Sequence, residues 1–274
     1  MFMLNEIVAN KRLEIENKKR NCPLEELMAK LSGARQVRDF HHALTMPGIS
    51  LIAEIKRKSP SKGELRPGFD AIELARIYSE HGARAISVLA DEKFFGGGAH
   101  VVEKVANDPF VRLPVMYKEF VIDPYQIYEA RSVGADAVLL IVRCIEQPSL
   151  LSEMIEIIHS LGMQALVECF AANEAVRAVE SGARIIGINN RDLQTFDVDL
   201  KRSEEIRSVL PDSAVTVSES GLSSRSDALL AQENGFDAML VGEALLKSDS
   251  IVSRVREFAG LGELEMDVLE HKNV

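Results

Sequence analysis

Four short stretches of the 274-residue chain repeat one design: HGARAIS (81–87), VGADAVL (133–139), SGARIIG (181–187) and NGFDAML (234–240). In each, a glycine ends a helical pattern and an apolar run begins about three residues later. Glycine takes positive φ without steric penalty, so this is the mark of a helix closed by a left-handed cap and followed by a strand. The glycines at 82, 134, 182 and 235 are spaced by 52, 48 and 53 residues. Each spacing holds about two strand–helix units. Four such periods make eight strands, which suits a closed barrel with four-fold pseudo-repetition.

The strands themselves are legible. Leu51–Lys56, Ala85–Leu89, Val115–Phe120, Ala137–Val142, Ala165–Cys169, Ile185–Asn189, Ala214–Ser218 and Ala238–Val241 are rich in Val, Ile, Leu and Ala. Short unbroken apolar runs are expected of parallel strands buried on both faces. Helical patterns lie between them, at Ala71–His81, Pro124–Val133, Pro148–Leu161, Glu174–Ser181, Ser203–Leu210 and Arg225–Asn234. An open doubly wound sheet would need two edge strands, and every segment here reads as internal. The expected fold class is therefore α/β, a (β/α)8 TIM barrel over residues 49–260 in a single domain. An N-terminal helical extension (1–48) precedes it, and an acidic tail (261–274) is expected to fray. Within the extension, Leu4–Lys19 reads as an amphipathic helix with apolar residues at 4, 7, 8, 13 and 15. Pro23–Leu31 and Val37–Leu44 read as shorter helices that either plug the barrel floor or cover its mouth.

Composition narrows the function. The net charge of −10 and the lack of a long basic run argue against nucleic acid. An anionic substrate would need local positive charge set against that global sign. The three cysteines, Cys22, Cys144 and Cys169, form no CxxC, so a reducing cytoplasm fits. The six histidines show no zinc-site spacing, and no metal is expected. No apolar run reaches the ~18 residues that span a bilayer, and the start, MFMLNE, is charged too early for a secretion signal.

In such barrels chemistry collects at the carboxyl ends of the strands. Alternation along 51–56 puts Ile52, Glu54 and Lys56 on one face and Leu51, Ala53 and Ile55 on the other. The apolar set suits the helices, so the first set points into the barrel. A structural ion pair is the plainer reading of Glu54 and Lys56 and stays open at this point. The same alternation aims Lys118 inward beside Met116 and Phe120, and Glu168 beside Leu166. Asn189 ends the sixth run and Arg191 comes just after it; Glu219 and Ser220 follow the seventh. A lone charge at a strand end is usually a solvated loop residue; a set from five strands is harder to explain that way. Gly221 and Gly242 follow the last two strands, where barrels bind phosphate on backbone N–H groups, or they are plain turn glycines. Gly96–Gly98 fits no nucleotide motif and reads as a mobile loop.

The motifs AEIKRKSPSKG, SVLADEKFFGG, YKEFVIDPYQI, GADAVLLI, LVEC, GINNRDL and VSESGL, in this order, resemble those of indole-3-glycerol phosphate synthases from about Leu4 to Phe258. The resemblance implies decarboxylating ring closure and dehydration of 1-(2-carboxyphenylamino)-1-deoxyribulose 5-phosphate, a phosphorylated small molecule, with no cofactor, nucleic acid or membrane partner. A monomer is compatible with it. It implies Lys118 as principal general acid, Lys56 as second acid or carboxylate holder, Glu168 as base in dehydration and Glu54 as the group positioning Lys56. Asn189 and Ser220 would orient the sugar. Arg191 and Glu219 would bind substrate, and Pro60, Phe95, Phe120 and Leu139 would wall its aromatic ring. Lys58, Ser59, Gly221, Gly242 and the amide of Glu243 would hold phosphate. The chain departs from the pattern at Glu119, where Asp is usual, at Ala90, where Thr is common, and at GGGAHVVEKV (96–105), which replaces the usual loop. That altered loop motivates the alternative of a non-catalytic or drifted phosphate-binding barrel. A related isomerase would need a Cys base, and neither Cys144 nor Cys169 lies in such a motif.

Overall fold

In the computed structural model, which describes residues 2–60, 62–68, 70–191 and 201–262, eight parallel strands close into a barrel. They are β1 (Ser50–Ile55), β4 (Ala85–Leu89), β5 (Val115–Lys118), β6 (Ala137–Ile141), β7 (Gln164–Cys169), β8 (Ile185–Asn189), β9 (Val215–Glu219) and β10 (Ala238–Val241). Each pairs with its neighbour in sequence, and β1 closes the ring on β10 with Ser50 opposite Ala238 and Leu51 opposite Met239. Two strands stand apart: β2 (Lys58–Ser59) and β3 (Gly63–Glu64) form a small antiparallel hairpin just after β1. The tail from 263 onward lies outside the described residues. Among those described, no helix is long and apolar enough to cross a membrane.

The repeat glycines behave as their spacing requires. Gly82, Gly134, Gly182 and Gly235 all have positive φ, and a strand starts three residues after each. Helix starts are equally local. Asp70 accepts from the backbone N–H of Ile72 and Glu73 to open α4 (Ala71–Glu80). Asp123 and Gln126 form a capping box around Pro124 at the start of α6 (Pro124–Ser132). Each such cap satisfies N–H groups that the first helical turn leaves without partners.

Period-two alternation divides the core into two layers. Leu51, Ala53 and Ile55 pack outward with Val88, Tyr117 and Val167 against the helices. Ile52, Met116, Leu139, Leu166 and Leu240 fill the barrel interior. Burying each such large aliphatic side chain contributes roughly 1.5–3 kcal/mol, so both faces of every strand pin its register.

The extension occupies both ends of the barrel. At the floor, α3 (Phe40–Leu44) inserts Phe40 and Leu44, both fully buried, among the inward residues of the strand starts. The hydroxyl of Ser50 fastens it by donating to the carbonyls of Ala43 and Leu44. At the mouth, α1 (Phe2–Asn21) lies across the strand ends, and Met3, Leu4 and Ile7 line the cavity there. The sequence stripe for this helix needs correction. Leu13 is 62% exposed, and the buried side runs Ile7, Lys11, Ile15, with the lysine only 2% exposed.

The 96–105 segment is also corrected. Gly96–Gly98 is a built turn: the amides of Gly96, Gly97 and Gly98 donate to the carbonyls of Glu92, Asp91 and Leu89. A Cβ on Gly97 would lie 1.9 Å from the Leu89 carbonyl oxygen. Directly after it, Ala99–Ala106 forms α5, a regular barrel helix burying Val102, Val105 and Ala106.

Candidate active site

The inward residues at the strand ends meet in one cavity. β1 delivers Glu54 and, just beyond its end, Lys56, whose ammonium donates to the Glu54 carboxylate. β5 delivers Lys118, and its ammonium lies 3.2 Å from Glu219 of β9 and 3.7 Å from Glu168 of β7. The Asn189 side chain of β8 donates to Glu168 at 3.2 Å and accepts from the backbone N–H of Arg191 at 3.0 Å.

Two lysines and three glutamates thus share a mostly buried volume. Burial alone lowers the pKa of the Lys118 ammonium, but Glu219, Glu168 and Glu54 together outweigh it and hold it above its ordinary value. Burial raises the pKa of Glu54, and Lys56 and Lys118 reverse this and hold it below the usual range. Glu219 is different. Burial, with the repulsion of Glu168, pushes its carboxyl well above the carboxylate range despite Lys118. One Glu219 oxygen is buried with no hydrogen-bond partner.

Two glycines make room for these carboxylates. A Cβ on Gly187 would lie 1.9 Å from that unpartnered Glu219 oxygen, and one on Gly242 would lie 2.4 Å from Glu54. Neither glycine has positive φ, so the requirement is for space rather than backbone conformation.

One side of the cavity is apolar. The rings of Phe95 and Phe120 have centroids 6.0 Å apart at 35°, and Leu139 adjoins them. At the other end Ser59, Pro60, Gly221, Gly242 and Glu243 line the wall. The Glu243 carboxylate is held by Lys62 and by Lys247 at 2.9 Å. These contacts outweigh partial burial and keep its pKa down at about 2.

Every residue given a catalytic, substrate or phosphate role from the sequence lines this cavity except Lys58. The Lys58 ammonium instead donates to the carbonyl of Lys93 at 2.9 Å, and its stem packs against Gly96. The two cysteines near strand ends, Cys144 and Cys169, are also accounted for. Burial raises both thiols, Cys144 to about 12 and Cys169 well above its ordinary value, so neither is poised as a thiolate.

Sequence reasoning missed two supports. Asn190 is fully buried and joins three elements: its side chain donates to the Ser218 hydroxyl and the Ser220 carbonyl, both at 3.2 Å, and accepts from the Ser203 hydroxyl. Ser220 is the only non-glycine with positive φ among the described residues, at 68°. Such a conformation costs on the order of 1–3 kcal/mol and persists where neighbours hold it. The second support is Lys11. Its ammonium lies 3.0 Å from Asp91 and 2.9 Å from Glu119, both buried carboxylates at strand ends. The signal for Asn190 was its place between two functional residues; for Lys11 it was a lysine midway along an apolar i, i+4, i+8 row.

Comparison with known proteins identifies the family. The family model described as indole-3-glycerol phosphate synthase matches residues 4–258. The chain is 43% identical over 260 residues to the indole-3-glycerol phosphate synthase of Acetivibrio thermocellus, covering 94% of this chain and 99% of that one. It is 44% identical over 268 residues to the enzyme of the same name from Roseiflexus castenholzii, covering 94% and 98%. Among solved structures, 3-hexulose-6-phosphate synthase superposes with a TM-score of 0.62 at 15% identity, over 78% of this chain and all of that one. Thiamine phosphate pyrophosphorylase from Pyrococcus furiosus gives 0.58 at 17%, over 77% and 94%. At those identities the two structures speak for the barrel fold alone.

Proposed function

The chain belongs to the indole-3-glycerol phosphate synthase family and is a decarboxylating lyase of tryptophan biosynthesis, and on that premise we propose how its residues divide the work. The reaction takes 1-(2-carboxyphenylamino)-1-deoxyribulose 5-phosphate to indole-3-glycerol phosphate, carbon dioxide and water. The aromatic ring carbon attacks the ketone, carbon dioxide leaves, and water is then eliminated. The first step puts negative charge on the ketone oxygen; the last needs a proton donor for the departing hydroxyl and a base for the ring proton.

Lys118 is the principal acid for ring closure. Its three carboxylate neighbours keep it an ammonium throughout the neutral range, so it is charged when the ketone oxygen becomes an alkoxide. Lys56, oriented by Glu54, is the second acid or the cation that holds the substrate carboxylate until it leaves. Glu168, oriented by Asn189, is the base in dehydration. Glu219 and Arg191 bind substrate, and Ser220 orients the sugar. Phe95, Phe120, Leu139 and Pro60 hold the aromatic ring, which brings its attacking carbon to the ketone. Ser59, Gly221, Gly242 and the Glu243 amide take the phosphate at the opposite end. Lys58 joins them only if its ammonium leaves the Lys93 carbonyl. The site is complete within one chain, in keeping with a monomer, and the three free thiols suit the cytoplasm.

The observation that carries this reading is the meeting of Lys118 with Glu168 and Glu219 beside an aromatic wall. The test is to mix purified protein with the substrate and follow the fluorescence of the indole product, with Lys118→Ala alongside. The expected result is turnover by the wild type and a loss of roughly two orders of magnitude or more in the variant. A wild type that binds substrate without forming the indole would overturn it.

A further inference from the structure

The two aromatic residues of the cavity wall stand on different loops. Phe95 follows β4 and Phe120 follows β5. Each loop is tied down by a carboxylate that accepts from the backbone N–H of the aromatic residue itself. Asp91 accepts from Phe95 at 3.0 Å and from Phe94 at 2.6 Å. Glu119 accepts from Phe120 at 2.7 Å. The remaining oxygen of each carboxylate faces the same cation: Glu119 accepts a hydrogen bond from the Lys11 ammonium at 2.9 Å, and the Asp91 oxygen pairs with it by charge at 3.0 Å without a hydrogen bond. All three side chains are at most 3% exposed.

We propose that Lys11 is a positioning residue: its single ammonium, supplied by α1, locks the two loops together and so sets the spacing of Phe95 and Phe120. The inference rests on the reading of those two rings as the wall for the substrate's aromatic ring.

Charge and sequence both argue for it. A lysine this deeply buried must be paired, because desolvating an ammonium is costly. Two carboxylates so close together are equally costly without a cation between them. Neither loop can release Lys11 without leaving a buried carboxyl group without its cation, so the loops hold their places jointly. The helix has other anchors. Lys18 pairs with Glu129 and Lys19 with Asp123, both partly exposed contacts of the kind worth little. Ile7 and Ile15 are also buried on the same face of the helix, and that apolar burial, more than Lys11, lays α1 on the barrel. Lys11 also differs from the acids of the reaction, since it does not line the cavity and acts only through the rings.

The chain has no tryptophan, so Phe95→Trp introduces a single reporter in the wall. Lys11→Met is made in the wild-type and reporter backgrounds. The expected result is a KM for the aromatic substrate raised on the order of tenfold, with a smaller change in kcat. Inhibition by inorganic phosphate should be unchanged, and the reporter's emission should shift to the red. If Lys11→Met does not fold, Lys11→Met with Glu119→Gln removes one charge of each sign and is read in its place. An unchanged KM overturns the proposal. So does a raised KM with unmoved emission, because the lysine would then act through the α1 residues that roof the cavity. Phe95→Ala and Phe120→Ala test the wall itself. If they leave KM unchanged, that reading fails, and the reporter still says whether Lys11 holds the loop.

Discussion

Lys118 and Glu219 are 101 residues apart in sequence, yet the ammonium of one lies 3.2 Å from the carboxylate of the other. They sit on the third and seventh strands of an eight-strand ring, diametrically opposed. The contact spans the barrel, and it exists only if the interior at that height is left open. Gly187, inward-facing on β8, leaves it open.

Gly187→Ala is therefore expected to act on chemistry more than on folding. Its Cβ would lie 1.9 Å from one Glu219 oxygen and 3.1 Å from the carboxyl carbon, so the carboxylate must move off Lys118. A shift of that size is expected to lower kcat/KM by about 10²-fold, with a stability cost of roughly 1–3 kcal/mol for overpacking. Steady-state kinetics with urea unfolding checks both. Full activity would mean that Glu219 need not hold its place. Gly242→Ala is less informative, because Gly242 itself lines the cavity.

Glu119 gives a pH dependence of known sign. Burial raises its carboxyl; Lys11 opposes this, Asp91 adds to it, and the balance stands at about 7 against an ordinary 4.5. One ammonium faces Glu14, Asp91 and Glu119 together, too little positive charge to keep every carboxylate ionised. A carboxyl whose folded pKa is raised binds its proton more tightly in the native state. Its contribution is complete below about pH 4.5 and is lost as pH rises through about 7, by on the order of 3 kcal/mol. Urea midpoints between pH 5 and pH 8 should fall for the wild type and fall less for Glu119→Gln. Parallel curves for the two would remove Glu119 as the source.

Asn190→Ala should damage a site whose cavity it does not line. It deletes the bonds to Ser203, Ser218 and the Ser220 carbonyl and frees the left-handed Ser220. The expected stability loss is roughly 1–3 kcal/mol, from buried groups left without partners. The expected fall in kcat/KM is about tenfold or more, at an enzyme concentration corrected for the folded fraction. Loss of stability with unchanged kcat/KM would make Asn190 a structural residue only.

These cases mark what the sequence could and could not tell. Strands such as β4 and β8 were legible because each apolar run begins three residues after a turn glycine, and both signals are local. Glu54, Lys118 and Glu168 were legible because alternation fixes the face of every strand residue, and Asn189 because it stands at a strand end. Helix α5 was missed because three glycines open it, although Val102, Val105 and Ala106 carry its period. Lys11 was missed for a different reason. A lysine on a charged helix reads as solvated until its partners are known, and Glu119 is 108 residues away. The motif placed Lys58 at the phosphate, but a nearby backbone carbonyl takes its ammonium, and only three-dimensional contacts reveal that competition.

Glu219→Gln separates the cost of the site from its use. Burial and Glu168 raise the Glu219 carboxyl well above the carboxylate range, so ionising it costs stability as pH rises through its folded value. Glutamine keeps the shape and removes that cost. At pH 8 the variant should melt at the wild-type temperature or above it, while kcat/KM falls by at least about tenfold because substrate loses a charged partner. Thermal unfolding and steady-state kinetics on one preparation read both. If the variant instead loses more than about 2 kcal/mol, the carboxylate serves as a strut for Lys118, since removing one member of a needed buried pair has that signature. Its place among the substrate-binding groups would then fall.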